Sequence, residues 1–161
     1  YPLKEIDINM KSKADMLRSM IKKRCLSPTV KNIYSEIYIK VINSFAFNLI
    51  ALKTGFNNAQ IKQNKSAIYS IKRIMKEFEK IIIYLDIPIY QSVKSRINQT
   101  LSSKKHTMSM LTDFKKKKPL EINFSWKRLY FLSKLTNIKT NFSLKTYKFV
   151  YKKIYNAKRK K

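Results

Sequence analysis

One glycine, one cysteine and one histidine stand in 161 residues. With Gly55 alone, the chain has no glycine-rich loop to cradle a phosphate. With Cys25 alone, it has no internal disulfide, and the thiol reads as a small buried side chain. His106 sits in a Lys/Ser-rich loop, with no second histidine and a remote cysteine. That leaves no Cys–His pair and no zinc set, so His106 reads as a surface residue or a phosphate neighbour. Acidic residues are also scarce. Glu77 and Glu79 lie two apart on a helix and point to different sides. They are expected to pair with Arg73, Lys76 or Lys80, not to form an acid–base couple. No cofactor or metal is implied, and an enzyme is not expected. Long apolar runs are missing as well. Val41 to Leu52 is short and broken by Asn43, Ser44 and Asn48, so no transmembrane segment is expected.

Positive charge is abundant. Thirty-six Lys and Arg face nine Asp and Glu, a formal net charge of +27. Such a chain repels itself unless a polyanion neutralises it. Nucleic acid is one such polyanion and an anionic membrane surface the other.

The periodicity is helical, and the expected class is all-α. From Ser27-Pro28, a capping residue and a good first helical residue, the apolar positions are Val30, Ile33, Ile37, Val41, Phe45, Leu49 and Leu52. Spacings of three and four make one stripe and exclude a strand. A turn at Thr54–Asn57 follows. A second helix from Asn57 or Asn58 carries Ile61, Ile68, Ile71, Met75, Phe78, Ile82 and Leu85 on one face. Lys62, Lys65, Lys72 and Lys76 fall on another. Each helix spans roughly 35–40 Å, and the short turn makes them an antiparallel hairpin over 27–86.

Phe47-Asn48-Leu49, Gly55 in the turn, and Ala67-Ile68-Tyr69-Ser70-Ile71-Lys72-Arg73-Ile74 resemble the pattern of the universal large-subunit ribosomal protein twenty-nine family. Ile50 stands where that family has a signature arginine, and Ile68 and Tyr69 where it has paired basic residues. The resemblance covers about residues 27–80. It implies a helical hairpin beside the polypeptide exit tunnel, touching ribosomal RNA and neighbouring ribosomal proteins.

Around the hairpin, residues 1–26 read as an N-terminal arm and 87–119 as a helix from Tyr90 to about Leu101 with a lysine-rich linker. Residues 120–161 read as a basic, aromatic extension with helices over Trp126–Leu135 and Ser143–Tyr155. The candidate RNA-binding residues are Lys62, Lys65, Lys72, Arg73, Lys76, Lys115, Lys116, Lys117, Lys118, Lys127, Arg128, Lys152, Lys153, Lys158, Arg159, Lys160 and Lys161. Cations pair with phosphates, and the interleaved rings can stack on unpaired bases.

Three functions fit these readings. The first is a structural, rRNA-binding constituent of the large ribosomal subunit, with no small-molecule substrate. A first residue other than methionine and the long extensions place it in a mitochondrion, or else in a plastid-type organelle. The second is another basic nucleic-acid-binding protein, such as an organellar nucleoid or RNA-processing factor. The third is a peripheral membrane protein using basic amphipathic helices.

Overall fold

The computed structural model describes residues 13, 15, 16, 19, 20, 31–103 and 106–159, with Lys158 and Arg159 described in backbone only. The chain divides into two compact units, Tyr1–Lys31 and Asn32–Lys161. In the first, Lys13, Asp15, Met16, Ser19 and Met20 are helical, and the Ser19 hydroxyl donates to the Met16 carbonyl at 2.6 Å. The rest of the arm expected over 1–26, the Ser27-Pro28 start, Cys25 and Val30 lie outside the described residues.

In the second unit the described residues form helices and no strand, so the chain is all-α as its periodicity requires. In chain order they are α1 (Ile33–Thr54), α2 (Asn58–Gln63), α3 (Lys65–Tyr84), α4 (Val93–Thr100), α5 (Ser109–Lys115), α6 (Ile122–Leu135) and α7 (Asn141–Arg159). The chain's polar residues set the boundaries. Asn32 caps α1 by accepting the Ser35 N–H, and Gly55, at φ +81°, ends it by donating to the Ala51 carbonyl. Asn57 and Gln60 form a reciprocal capping box on α2. The single second helix expected from periodicity is broken at Asn64, which is extended and caps α3 through the Ala67 N–H. An asparagine satisfies free N–H groups better at a cap than in a helix interior.

The hairpin forms from α1 and α3, but α1 is not a one-sided stripe. Ile33, Ile37 and Val41 are 54%, 51% and 38% exposed, while Ser35, Ile39 and Ile42 are buried. From Phe45 to Leu52 every residue is buried. The reason is the number of partners: α3, α5, α6 and α7 all pack on α1. Its C-terminal half is enclosed on every side, and its first turns are covered on one side, where the Ser35 hydroxyl donates to the Pro88 carbonyl at 2.5 Å. By length and composition α1 could cross a membrane, contrary to expectation, yet 61% of its apolar window is buried in the protein. It is the central helix of a packed core.

The C-terminal helices complete that core. Trp126 stacks on Phe45 (centroids 6.0 Å), on Tyr130 (5.3 Å) and on Tyr147 (4.6 Å). Phe45 meets Phe78 edge-on at 5.8 Å, so the ring cluster joins α1, α3, α6 and α7. The two glutamates also depart from expectation. Glu77 pairs with no cation among the described residues but accepts the Phe142 and Ser143 N–H groups at the start of α7. Glu79 pairs with Arg96 of α4.

Candidate functional site

Helix α1 carries a polar ladder through its apolar length. Lys40, Ser44 and Asn48 recur every fourth residue and therefore share one face, with Asn43 beside them. This face is one wall of a cleft of about 830 Å³, inside the range of roughly 300–1,000 Å³ usual for small-molecule sites. The opposite wall includes Gln99, Thr100, His106, Met108 and Ser109.

Each wall is held by buried polar groups. Asn58, fully buried, donates through Nδ2 to the Thr100 carbonyl (2.9 Å) and the Ser103 carbonyl (3.2 Å). Its backbone N–H donates to the His106 carbonyl at 3.0 Å. Asn58 thereby seats the segment that brings His106 to the cleft. Asn48 ties the walls together: its Oδ1 accepts the Met110 N–H at 3.1 Å, and its Nδ2 donates to the Ser44 carbonyl (2.8 Å) and hydroxyl (3.2 Å). Behind the cleft Arg96, 1% exposed, pairs with Glu79 and donates to Asn43 Oδ1 at 3.1 Å. Burial pushes the Glu79 carboxyl above its ordinary value, against the pull of Arg96 and Lys76.

Lys40 is exposed and makes no hydrogen bond or ion pair among the described residues. Its ammonium is free to meet a ligand. The cleft thus offers one cation, four side-chain amides, three hydroxyls and an imidazole, with the Glu36 carboxylate among them, over an apolar floor that includes Phe47 and Met108. The lysine, amides and hydroxyls are groups able to donate hydrogen bonds to an oxygen-rich ligand. No group of three or more metal-ligating side chains occurs among the described residues.

The basic residues singled out in the sequence are elsewhere. Lys62, Lys65, Lys72, Arg73, Lys76, Lys115, Lys116, Lys117, Lys118, Lys127, Arg128, Lys152 and Lys153 are exposed, and none lines this cleft. They are spread over α2, α3, α5, α6 and α7 and the turn after α5. Several have local partners. Arg73 lies over the Phe142 ring (4.5 Å), Arg128 lies over Phe124 (5.1 Å), and Lys153 donates to the Leu52 and Lys53 carbonyls at the end of α1. Lys115, Lys117 and Lys118 edge a separate groove. The side chains of Lys158 and Arg159, and Lys160 and Lys161 entirely, lie outside the described residues.

The sequence reading passed over Lys40, Ser44 and Asn48. The signal was present: polar residues recurred at helical spacing inside the most apolar stretch. Ser44 and Asn48 were read as interruptions of an apolar run, Asn48 also as part of the Phe47-Asn48-Leu49 motif, and Lys40 not at all. His106, read as a surface residue or a phosphate neighbour, is exposed and lines the cleft. The Phe47-Asn48-Leu49 motif is core and cleft wall, each of its residues buried.

Comparison with known proteins follows the same geometry. Residues 32–153 match the family described as ketopantoate reductase PanE/ApbA C terminal. The fold is similar to that of a dimeric ketopantoate reductase from Staphylococcus aureus, with a TM-score of 0.66 and 16% identity. The alignment covers 89% of this chain and 51% of that one, so the chain spans about half the length of the solved enzyme. No curated protein matches in sequence. The family match replaces the ribosomal resemblance, whose motif residues belong to a different helical core. With it go the rRNA and ribosomal partners, the other nucleic-acid-binding reading and the exclusion of a small-molecule substrate. The expectation of no enzyme is also overturned, because the family is one of oxidoreductases. That expectation rested on missing nucleophiles and metal ligands, and reducing a carbonyl requires neither.

Proposed function

This chain belongs to the ketopantoate reductase C-terminal family, and from that premise we propose that it supplies the substrate-binding part of an oxidoreductase acting on a keto carboxylate. The observation that carries the reading is the cleft on which Lys40, Asn43, Ser44, Asn48, His106 and Ser109 converge. Reduction of a ketone to an alcohol adds a hydride at carbon, which a reduced nicotinamide not held by the described residues would supply, and a proton at oxygen. Negative charge grows on that oxygen as the hydride arrives. A cation and hydrogen-bond donors already aimed at it lower the barrier. Lys40 is the residue assigned to the ketone oxygen: it holds the carbonyl and gives the proton. Ser44 and Ser109 hydroxyls orient the substrate, and Phe47 and Met108 exclude water from beneath it.

The described residues do not fit a dinucleotide cradle. Such a cradle needs glycines that let the backbone approach a pyrophosphate. Gly55, the chain's one glycine, lies in a turn, and a Cβ added there meets nothing within 4 Å. The part assigned to this chain is therefore the substrate's side of the reaction.

Calorimetric titration of ketopantoate into the full 161-residue chain tests the reading. Saturable binding that Lys40→Ala weakens by about tenfold or more is the expected result. No saturable binding by the unaltered chain, or equal binding by Lys40→Ala, overturns it.

A further inference from the structure

Asn43 is not part of the four-residue ladder, yet it has a buried partner of its own. A guanidinium has only donors, so the Asn43 atom 3.1 Å from Arg96 Nη1 is the amide oxygen. The Asn43 NH2 group then has no partner among the described residues and lies at the cleft wall. The same logic holds one turn on. The Met110 N–H fixes Asn48 Oδ1, the Asn48 amide nitrogen is spent on Ser44, and the Ser44 hydroxyl accepts from it. That leaves the Ser44 proton for a ligand. Along this stretch of α1, Lys40, Asn43 and Ser44 all donate. The acidic residue at the rim, Glu36, stands one turn before Lys40.

We propose that Arg96 is a positioning residue that locks Asn43 as a hydrogen-bond donor, and that Asn43 thereby selects ligands carrying a carboxylate. The inference rests on the keto-acid reading above and adds to it a residue for the acid end. Glu79 completes the device. It holds the second guanidinium nitrogen, so the planar fork has one orientation and its other prong meets Asn43. Neither Arg96 nor Glu79 lines the main cleft. They act through the asparagine.

The test is a comparison of two ligands, ketopantoate and its uncharged lactone, titrated into the full chain and its variants. Asn43→Ala is expected to weaken ketopantoate about tenfold, the effect of one hydrogen bond to a charged group, and to leave the lactone within twofold. Asn43→Asp, which puts a carboxylate opposite the ligand's own, is expected to weaken ketopantoate further. The double variant Glu79→Gln/Arg96→Gln removes both buried charges together and frees the Asn43 amide to turn over. It is expected to reduce the preference for ketopantoate over the lactone several-fold, whereas mere loosening of the fold weakens both ligands alike. Equal effects on both ligands, or no effect in either Asn43 variant, overturns the proposal. If Lys40→Ala weakens ketopantoate while the Asn43 variants do not, this inference alone fails. If the unaltered chain binds no ketopantoate, the functional reading fails and takes this inference with it.

Discussion

Glu77 holds Ser143 twice. One carboxylate oxygen accepts both the Ser143 N–H (2.8 Å) and the Ser143 hydroxyl (2.6 Å), while the other takes the Phe142 N–H at 2.9 Å. A side chain on α3 thus caps α7, which lies 65 residues on in sequence. The negative charge sits at the positive end of the helix dipole, where it is favoured. Glu77→Ala leaves the first turn of α7 with buried, unpaired donors, since Ser143 is fully buried. It is expected to lower stability by about 1–3 kcal/mol in denaturant unfolding, and Glu77→Gln by less, because an amide oxygen still accepts. Equal stability of Glu77→Ala and the unaltered chain contradicts the assignment.

Gly55→Ala isolates a backbone effect. The residue sits at φ +81°, and an added methyl meets nothing within 4 Å. No clash contributes, so the cost is that of the left-handed conformation alone, about 1–2 kcal/mol. Thermal unfolding should register this, and a cost well above that range points to contacts absent from this structure.

The Tyr147 phenol is pushed above its ordinary value of 10.0, first by burial and then by the charge of Tyr151. Its hydroxyl donates to Asn123 Oδ1 at 2.9 Å. The folded state holds this proton more tightly than the unfolded chain does. The corresponding stability is complete below pH 10 and is lost as pH rises through the folded value. Absorbance titration of tyrosinate should show a late-ionising component, and Tyr147→Phe should remove it.

Much of the fold was legible in the pattern of the chain. The three-and-four spacing of Ile71, Met75, Phe78 and Ile82 identified part of α3's buried face, and Gly55 marked the end of α1. The spacing did not disclose how many partners each helix has. Ile33, Ile37 and Val41 share a stripe with Phe45, but only the last of them meets other helices on that side. Asn64 was invisible as a break because one asparagine is tolerated within a helical pattern. The site was less legible, for a physical reason. Its wall on α1 is written at helical spacing, but its other wall is held by Asn58, across more than 40 residues of sequence. No local pattern encodes that pairing. Charge was the most conspicuous feature of the sequence and the poorest guide, since the cations it singled out lie outside the cleft and Lys40, which lines it, was not among them.

The tethering of Asn43 to Arg96 and of Asn48 to both Ser44 and Met110 has an entropic consequence. A rotamer-rich side chain that freezes only when a ligand arrives subtracts about 0.5–1.5 kcal/mol from the affinity. Here both amides are immobilised by the protein's own interior before any ligand is present. Association with this wall demands little loss of side-chain freedom, and selectivity resides in a rigid template instead of an adaptive one.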